Sequence, residues 1–157
     1  MGAAGADFFA AEPLLVARLQ SIAAAGVKVL TAPDLAGTAE NAQHTPAYQV
    51  IFGGYRVVDD NAQGALPLIE QRWFIVTAVR NAASQISGAA GRQNANALMD
   101  AALHALLGWK PSNDLSRLQL GTGGSPTFRK GGYAYYPLMF TTRLKLKGES
   151  ITARGIS

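Results

Sequence analysis

One run of ten residues, 71–80, limits the possible folds of this chain more than any other stretch. Its interior reads Trp-Phe-Ile-Val-Thr-Ala-Val, which is almost wholly aromatic or β-branched. Alternate side chains of a strand point to opposite faces, and here both faces carry apolar groups. Burying Trp73, Phe74 and Ile75 contributes roughly 1.5–3 kcal/mol each. We therefore predict a central strand that is buried on both faces, with Trp73 as a probe of folding.

The chain before this run predicts one helix and an antiparallel hairpin. Residues 13–25 place Leu15, Leu19 and Ile22 on one helical face, and a short strand follows at 27–30. Residues 31–46 lack a period and predict a loop. A strand over 47–58, kinked at its paired glycines, and a turn over 59–64 then lead into the central strand.

The chain after this run predicts a second helix and a long strand. Apolar residues recur with helical spacing over 95–106, between a polar segment at 81–91 and a weak strand at 114–120. A glycine-rich loop, 121–126, precedes a one-sided strand over 133–147, in which Pro137 predicts a sheet edge or a bulge. The predicted fold class is α/β (α+β), a single mixed and mainly antiparallel β-sheet flanked by two main helices.

Composition predicts one soluble domain. The chain has 157 residues, 48% of them hydrophobic, and no cysteine, which excludes disulfides and thiolate zinc sites. We expect a core over about 12–147 and loose ends at 1–11 and 148–157. No apolar stretch approaches the roughly 18 residues of a membrane helix, and the N-terminus does not have the form of a signal peptide.

The sequence predicts no catalytic, cofactor-binding or metal-binding site. His44 and His104 do not have metal-ligand spacing, and no nucleophile motif accompanies them. The adjacent acids Asp59 and Asp60 are typical of a turn, although they are also compatible with a cation site. The loop 121–124 is compatible with a phosphate cradle but lacks the P-loop form.

Charge is divided unevenly along the chain. Residues 1–70 carry a net charge of −4 and residues 71–157 carry +8. This pattern is compatible with ordinary surface scatter, with nucleic-acid binding by the basic half, or with head-to-tail packing of identical copies. The candidate ring or partner interface consists of Arg143, Lys145, Lys147, Arg129, Lys130, Arg80, Asp59 and Asp60.

Several phrases of the sequence resemble phage tail terminators of the Gp37 type, found in Mu-like contractile-tailed phages. They are Pro-Leu-Leu-Val-Ala-Arg-Leu at 13–19, the central strand through Asn81, Ala-Leu-Leu-Gly-Trp-Lys-Pro at 105–111, and Tyr-Tyr-Pro-Leu-Met-Phe at 135–140. The resemblance spans roughly residues 12–147. It implies a homohexameric ring that caps the tail tube, stops its polymerisation and docks the head or neck, rather than an enzyme.

The same resemblance implies the partners and the location. These are the tail tube protein, the sheath and the neck or head-completion proteins, with DNA as passing cargo and no cofactor or membrane. The location is the head-proximal end of the virion tail, and the host cytoplasm during assembly. We expect the three long loops, which are residues 31–46, 81–91 and 121–132, to contact these partners and to order on assembly.

Two rival functions stay open at this point. The first is a nucleic-acid-binding module, in which Arg143, Lys145 and Lys147 pair with phosphates while the tyrosines at 133, 135 and 136 stack on bases. The second is a small-ligand or hydrolytic α/β domain built on the glycine-rich loop. The module would retain DNA in a salt-sensitive way, whereas the domain would show a cavity with perturbed ionisable groups.

Overall fold

A computed structural model describes residues 7–81 and 88–149, and their side chains except for those of 88–94. The fold is α+β, as the sequence predicts, with one mixed sheet. The elements in chain order are α1 (Ala11–Ile22), β1 (Lys28–Thr31), α2 (Ala32–Leu35), a 3-10 turn (Glu40–Ala42), β2 (Ala47–Asn61), β3 (Leu66–Arg80), α3 (Gly88–Leu106), β4 (Gln119–Leu120), β5 (Thr127–Arg129) and β6 (Tyr133–Lys145).

The predicted central strand, β3, lies in the middle of the sheet. The strand order is β1-β2-β3-β6-β4, and β5 also pairs with β6. β2 and β6 both run antiparallel to β3 along almost its whole length, whereas β1 runs parallel to β2. The predicted hairpin between β2 and β3 is therefore confirmed. The other described strands join the sheet by pairing with β2 or β6, the two neighbours of β3.

The sheet has a closed face and an open face. Both long helices pack on the closed face, where Trp73, Ile75 and Thr77 of β3 are fully buried. On the open face Phe74 is half-buried and Arg72 is exposed. The prediction that β3 is buried on both faces holds at Ala78, which is fully buried on the open face, but it is wrong at Phe74 and Val76. Both long helices pack on the closed face, and the open face is covered only in part by α2 and the 3-10 turn.

The two long helices follow the predicted apolar stripes. Leu15 and Leu19 of α1 and Leu106 of α3 are fully buried in one core with Trp73. The helices are joined by Arg18, whose Nε donates to the Ala105 carbonyl oxygen at 3.0 Å. α3 starts at Gly88, earlier than the stripe indicates, because residues 88–94 are glycine, alanine and polar residues that carry no apolar period.

The folded part of the chain extends beyond the predicted core limits. Phe8 packs against Phe9, Phe52 and Tyr55, and its carbonyl oxygen accepts a 2.7 Å hydrogen bond from Gln71 Nε2. At the other end, the Gly148 amide donates to the Ala65 carbonyl oxygen at 2.7 Å. Residues 7–11 and 148 are therefore held by packing and backbone bonds that the sequence pattern did not reveal.

The predicted loops contain short regular elements. Segment 31–46 carries α2 and the 3-10 turn, and Thr31 with Asp34 forms a capping box at the start of α2. Segment 121–132 contains β5, while the weak strand over 114–120 is reduced to β4. That these loops contact partners and order on assembly stays a prediction. Of the loop 81–91, residues 82–87 lie outside the described residues and 88–91 belong to α3.

The glycine-rich segment 121–126 lies along the outer edge of β6. The Gly121 amide donates to the Met139 carbonyl oxygen at 2.8 Å, and a Cβ on Gly121 would lie 2.6 Å from Met139 Cε. A Cβ on Gly123 would lie 3.3 Å from the Pro137 carbonyl oxygen. Since a strand residue directs its nitrogen and its carbonyl to the same edge, Pro137 faces this segment and removes no bond to β3. β6 is not an edge strand, but Pro137 lies between the stretches that pair with β4 and β5, so the predicted edge position holds only locally.

The outer edge of β2 is unpaired over much of its length. β1 pairs with β2 only as far as Val50, and in the described ranges no strand covers residues 52–61, here called the open β2 edge. Two bulges, Phe52/Tyr55 and Val57/Asp59, interrupt the ladder on its inner side. Tyr55 and Val57 expose more than half of their surface there.

Replacing Thr77 with Val is expected to stabilise the fold. Thr77 Oγ1 is buried and has no hydrogen-bond partner among the described residues, so its removal relieves an unpaired polar group. We expect a gain of about 1 kcal/mol in the free energy of unfolding, measured by urea denaturation with tryptophan fluorescence.

The matched control is Thr142→Val on the same face of the sheet. Thr142 is equally buried, but its hydroxyl donates to the Ser116 carbonyl oxygen at 2.7 Å. This substitution should lower the free energy of unfolding by about 1–3 kcal/mol. Equal effects of the two substitutions would contradict the assignment of Thr77 as the unpaired hydroxyl.

Candidate functional site

The six predicted interface cations form two groups at opposite ends of β6. The distal group is Arg143, Lys145 and Lys147, and the proximal group is Arg80, Arg129 and Lys130. Arg80 and Arg129 both lie opposite Tyr133 at the start of β6, whereas Lys145 ends the strand. At about 3.3 Å per residue the groups are roughly 40 Å apart. They are therefore two separate surfaces rather than one continuous basic patch.

In the distal group, Arg143 is part of an ion network that crosses three strands. Its Nε lies 3.2 Å from Glu70 Oε2, and Arg56 Nε lies 2.9 Å from Glu70 Oε1. Burial opposes the charge on Glu70, but the hydrogen bonds from both arginines outweigh it and lower the pKa of Glu70. Arg143 is thus engaged within the chain, while Lys145 and Lys147 are exposed.

In the proximal group, each arginine has an aromatic or acidic neighbour. The Arg80 guanidinium stacks over the Tyr133 ring at 4.7 Å, and its Nε donates to the Gly131 carbonyl oxygen at 3.1 Å. Arg129 Nε lies 3.9 Å from Glu40 Oε2, and Lys130 is exposed. Arg129 and Lys130 are therefore the cations of this group that are most open to a partner.

The three tyrosines near the proximal group are placed inside the fold. Tyr133 and Tyr136 each expose 4% of their surface, and the Tyr135 hydroxyl donates to Glu40. Stacking on nucleic-acid bases requires an accessible ring face. Tyr133 and Tyr136 are therefore withdrawn from stacking and Tyr135 is tied to Glu40, so the nucleic-acid hypothesis depends mainly on the exposed cations.

The acidic pair lies in β2 and not in the turn that the sequence predicts. Asp59 and Asp60 are exposed near the end of the open β2 edge, and the turn itself is formed by residues with positive φ, which include Gln63 and Gly64. Asp59 lies opposite Leu68, which in turn lies opposite Lys145. The acidic pair and the distal basic group therefore occupy the same row at opposite edges of the sheet.

Neither histidine belongs to a reactive cluster. His44 Nε2 lies 2.7 Å from the Gly26 carbonyl oxygen, and His104 Nδ1 lies 2.7 Å from the Asp100 carbonyl oxygen. Within residues 7–81 and 88–149, no group of three or more histidine or acidic side chains is arranged to hold a metal ion. In the same part of the chain, no helix combines the length and apolarity needed to cross a membrane.

Sequence reasoning missed the acids that organise both surfaces. Glu70 precedes the central strand and Glu40 lies in a segment without a period, so neither stood out. The register that joins Glu70 to Arg56 depends on the bulges of β2, which the sequence does not locate. The signal that could have found Glu40 is that Asp34 and Glu40 are the two acidic residues of the long polar segment 31–46.

Replacing Glu70 with Gln is expected to lower the free energy of unfolding by about 1 kcal/mol at neutral pH, because two arginines lose their shared carboxylate. The pKa of Glu70 is lowered in the folded state, so its contribution is complete above the ordinary value of 4.5 and is lost as the pH falls through the folded-state value. Urea denaturation of both proteins between pH 7 and pH 3 measures the difference.

The control for this substitution is Asp114→Asn, which removes an exposed carboxylate that forms no ion pair within the described residues. The control should leave the free energy of unfolding within about 0.5 kcal/mol of the wild-type value. A difference between wild type and E70Q that stays constant down to pH 3 would contradict the role of the ionised carboxylate.

Comparisons with known proteins point to a phage tail component. No curated protein sequence matches the chain significantly. Among solved structures, the chain is similar to one from the "Virion of native gene transfer agent (GTA) particle", with 17% identity, coverage of 87% of this chain and 88% of that chain, and a TM-score of 0.47. The family model described as phage tail terminator protein matches residues 5–151. The chain therefore belongs to the phage tail terminator family and is a structural protein of a phage tail.

Proposed function

We propose that this protein forms a hexameric ring that caps the tail tube, stops its polymerisation and provides the docking face for the head or neck. The observation that carries the proposal is the family match, which covers residues 5–151. In this role the protein is a structural component that needs no cofactor and catalyses no reaction. The engagement of His44 and His104 with backbone carbonyl groups fits such a role.

The proposed partners are other copies of the chain, the tube protein, and the sheath and neck proteins. DNA would pass through the lumen of the ring as cargo. The protein would be located at the head-proximal end of the tail, after assembly in the host cytoplasm. The closer resemblance to the Gp37 type of Mu-like phages stays a prediction.

The charge distribution supports a ring of identical subunits. Subunits of a closed ring meet through two different patches, so each subunit must present complementary faces at opposite sides. β1 and β2 come from the acidic part of the chain, while β4, β5 and β6 come from the basic part. Because the sheet order places these groups on opposite sides of β3, the division along the chain becomes a division in space.

The acidic pair and the distal basic group are suited to meet across a subunit boundary. Asp59 and Lys145 lie in one row of the sheet, two strands apart, and both are exposed. Rotation about an axis roughly parallel to the strands brings the acidic edge of one copy onto the basic edge of the next at the same height. Complementary charges at such a boundary guide assembly and fix its register.

Charge reversal at either edge is expected to weaken the ring, and reversal at both edges to restore it. Asp59→Lys with Asp60→Lys, or Lys145→Glu with Lys147→Glu, places like charges at the boundary. Each double variant should raise the concentration needed for assembly by about tenfold or more, while the quadruple variant returns it towards the wild-type value. Sedimentation velocity at low and high salt measures assembly.

The control is Asp100→Lys, which reverses an exposed charge on α3, outside this row. It should assemble like the wild type. Rings that are equally stable at low and high salt, or a quadruple variant weaker than both double variants, would contradict the electrostatic boundary. If closure requires the tube, the same four variants are compared by their ability to restore infectivity to a phage that lacks the gene.

Loss of the protein is expected to leave the length of the tail unregulated. A phage that lacks the gene should produce tails of variable and excessive length that carry no heads, because no ring stops the tube or offers a docking face. Electron microscopy of lysates measures tail length and the fraction of tails joined to heads. Tails of normal length joined to heads would exclude the terminator role for this chain.

A further inference from the structure

A polar cavity lies on the open face of the sheet, where the segment carrying α2 and the 3-10 turn faces β5. Its volume is about 480 Å³, which is in the range of sites that hold small ligands. The cavity is a shallow depression that is widely open to solvent. Its walls include Leu35, Glu40, Gln49, Val76, Arg129 and Tyr135.

Gln49 gives this cavity an unused pair of hydrogen-bonding groups. Its residue is 93% buried, and its side chain has no hydrogen-bond partner in the described part of the chain. The other deeply buried glutamine, Gln71, is fully engaged by Phe8 and Trp73. The carboxamide is accessible from the cavity, where it can pair with a group that offers one donor and one acceptor, as a peptide amide does.

Arg129 gives the mouth of the cavity an unused set of donors. Its Nε lies 3.9 Å from Glu40 Oε2, which is too far for a hydrogen bond, so the guanidinium retains its donors for another acceptor. Glu40 itself is held by the Tyr135 hydroxyl. Burial, followed by the Glu40 carboxylate, raises the pKa of Tyr135, so this hydroxyl remains a donor and keeps Glu40 in place.

We propose that this cavity binds a short, extended acidic peptide segment of a partner protein. The backbone amide of the segment pairs with the Gln49 carboxamide, and a carboxylate of the segment pairs with the Arg129 guanidinium. Leu35 and Val76 contact the aliphatic part of the segment. A free anion would pair with Arg129 but would contact neither the Gln49 carboxamide nor the apolar walls. The site is complete within one subunit and therefore does not depend on ring formation.

The test uses saturation-transfer difference NMR, which detects weak ligands of a monomer and of a large ring alike. The probe is the capped peptide acetyl-Ala-Glu-Ala-amide, with acetyl-Ala-Gln-Ala-amide as its neutral counterpart. The full-length protein should bind the acidic probe about tenfold more tightly than the neutral one. Sodium acetate, which supplies the carboxylate alone, should not displace the acidic probe at equal concentration.

Three variants distinguish a defined site from general attraction to a basic surface. Arg129→Gln should weaken binding of the acidic probe about tenfold, whereas Lys130→Gln removes the same charge next to the site and should leave binding unchanged. Gln49→Leu should weaken binding of both probes without lowering the midpoint of urea denaturation, because the lost carboxamide has no partner in the free protein.

Four results would overturn the proposal. They are absence of saturation transfer from the protein to the acidic probe, full displacement by acetate, equal effects of Arg129→Gln and Lys130→Gln, and wild-type binding by Gln49→Leu. Sedimentation of the same samples reports ring formation separately. A failure of peptide binding is thus distinguished from a failure of the proposed ring.

Discussion

The double pairing of β3 is the interaction on which the remaining structure depends. Its two antiparallel ladders bring together strands from the first and second halves of the chain, and each strand adds side chains to the closed face. Trp73 becomes fully buried only because both neighbours and both long helices meet there. Burial of this kind is the main favourable term in folding, so β3 fixes the position of every surface that a partner meets.

The elements with a clear period were predictable, and those without one were not. Leu15, Leu19 and Leu106 mark their helices, and the alternation of β6 marks its buried face, because one-sided burial leaves a repeating pattern. The burial of Phe74 was overestimated, since an apolar side chain does not reveal whether a helix will cover it. The opposite charges of Asp59 and Lys145 are visible in the sequence. Their alignment in one row of the sheet depends on the strand register, which the sequence does not show.

Acidic side chains decide which of the predicted cations are available. Glu70 holds Arg56 and Arg143 on the open face, while Glu40 accepts from Tyr135 and stays just beyond hydrogen-bonding distance of Arg129. The sequence shows a basic second half, but it does not show which cations the fold neutralises, because the neutralising acids come from distant positions. The charge that the surface presents is therefore what remains after acids from one part of the chain pair with cations from another part.

The open β2 edge affects how the single chain avoids unwanted pairing with other chains. An unpaired strand edge is a template for uncontrolled pairing with another chain. Bulges around Gly53, Gly54 and Val58, together with the charges of Asp59 and Asp60, make this edge irregular and like-charged towards a second copy of itself. These features disfavour pairing of two identical edges, so in the proposed ring this edge would meet a surface of opposite charge instead.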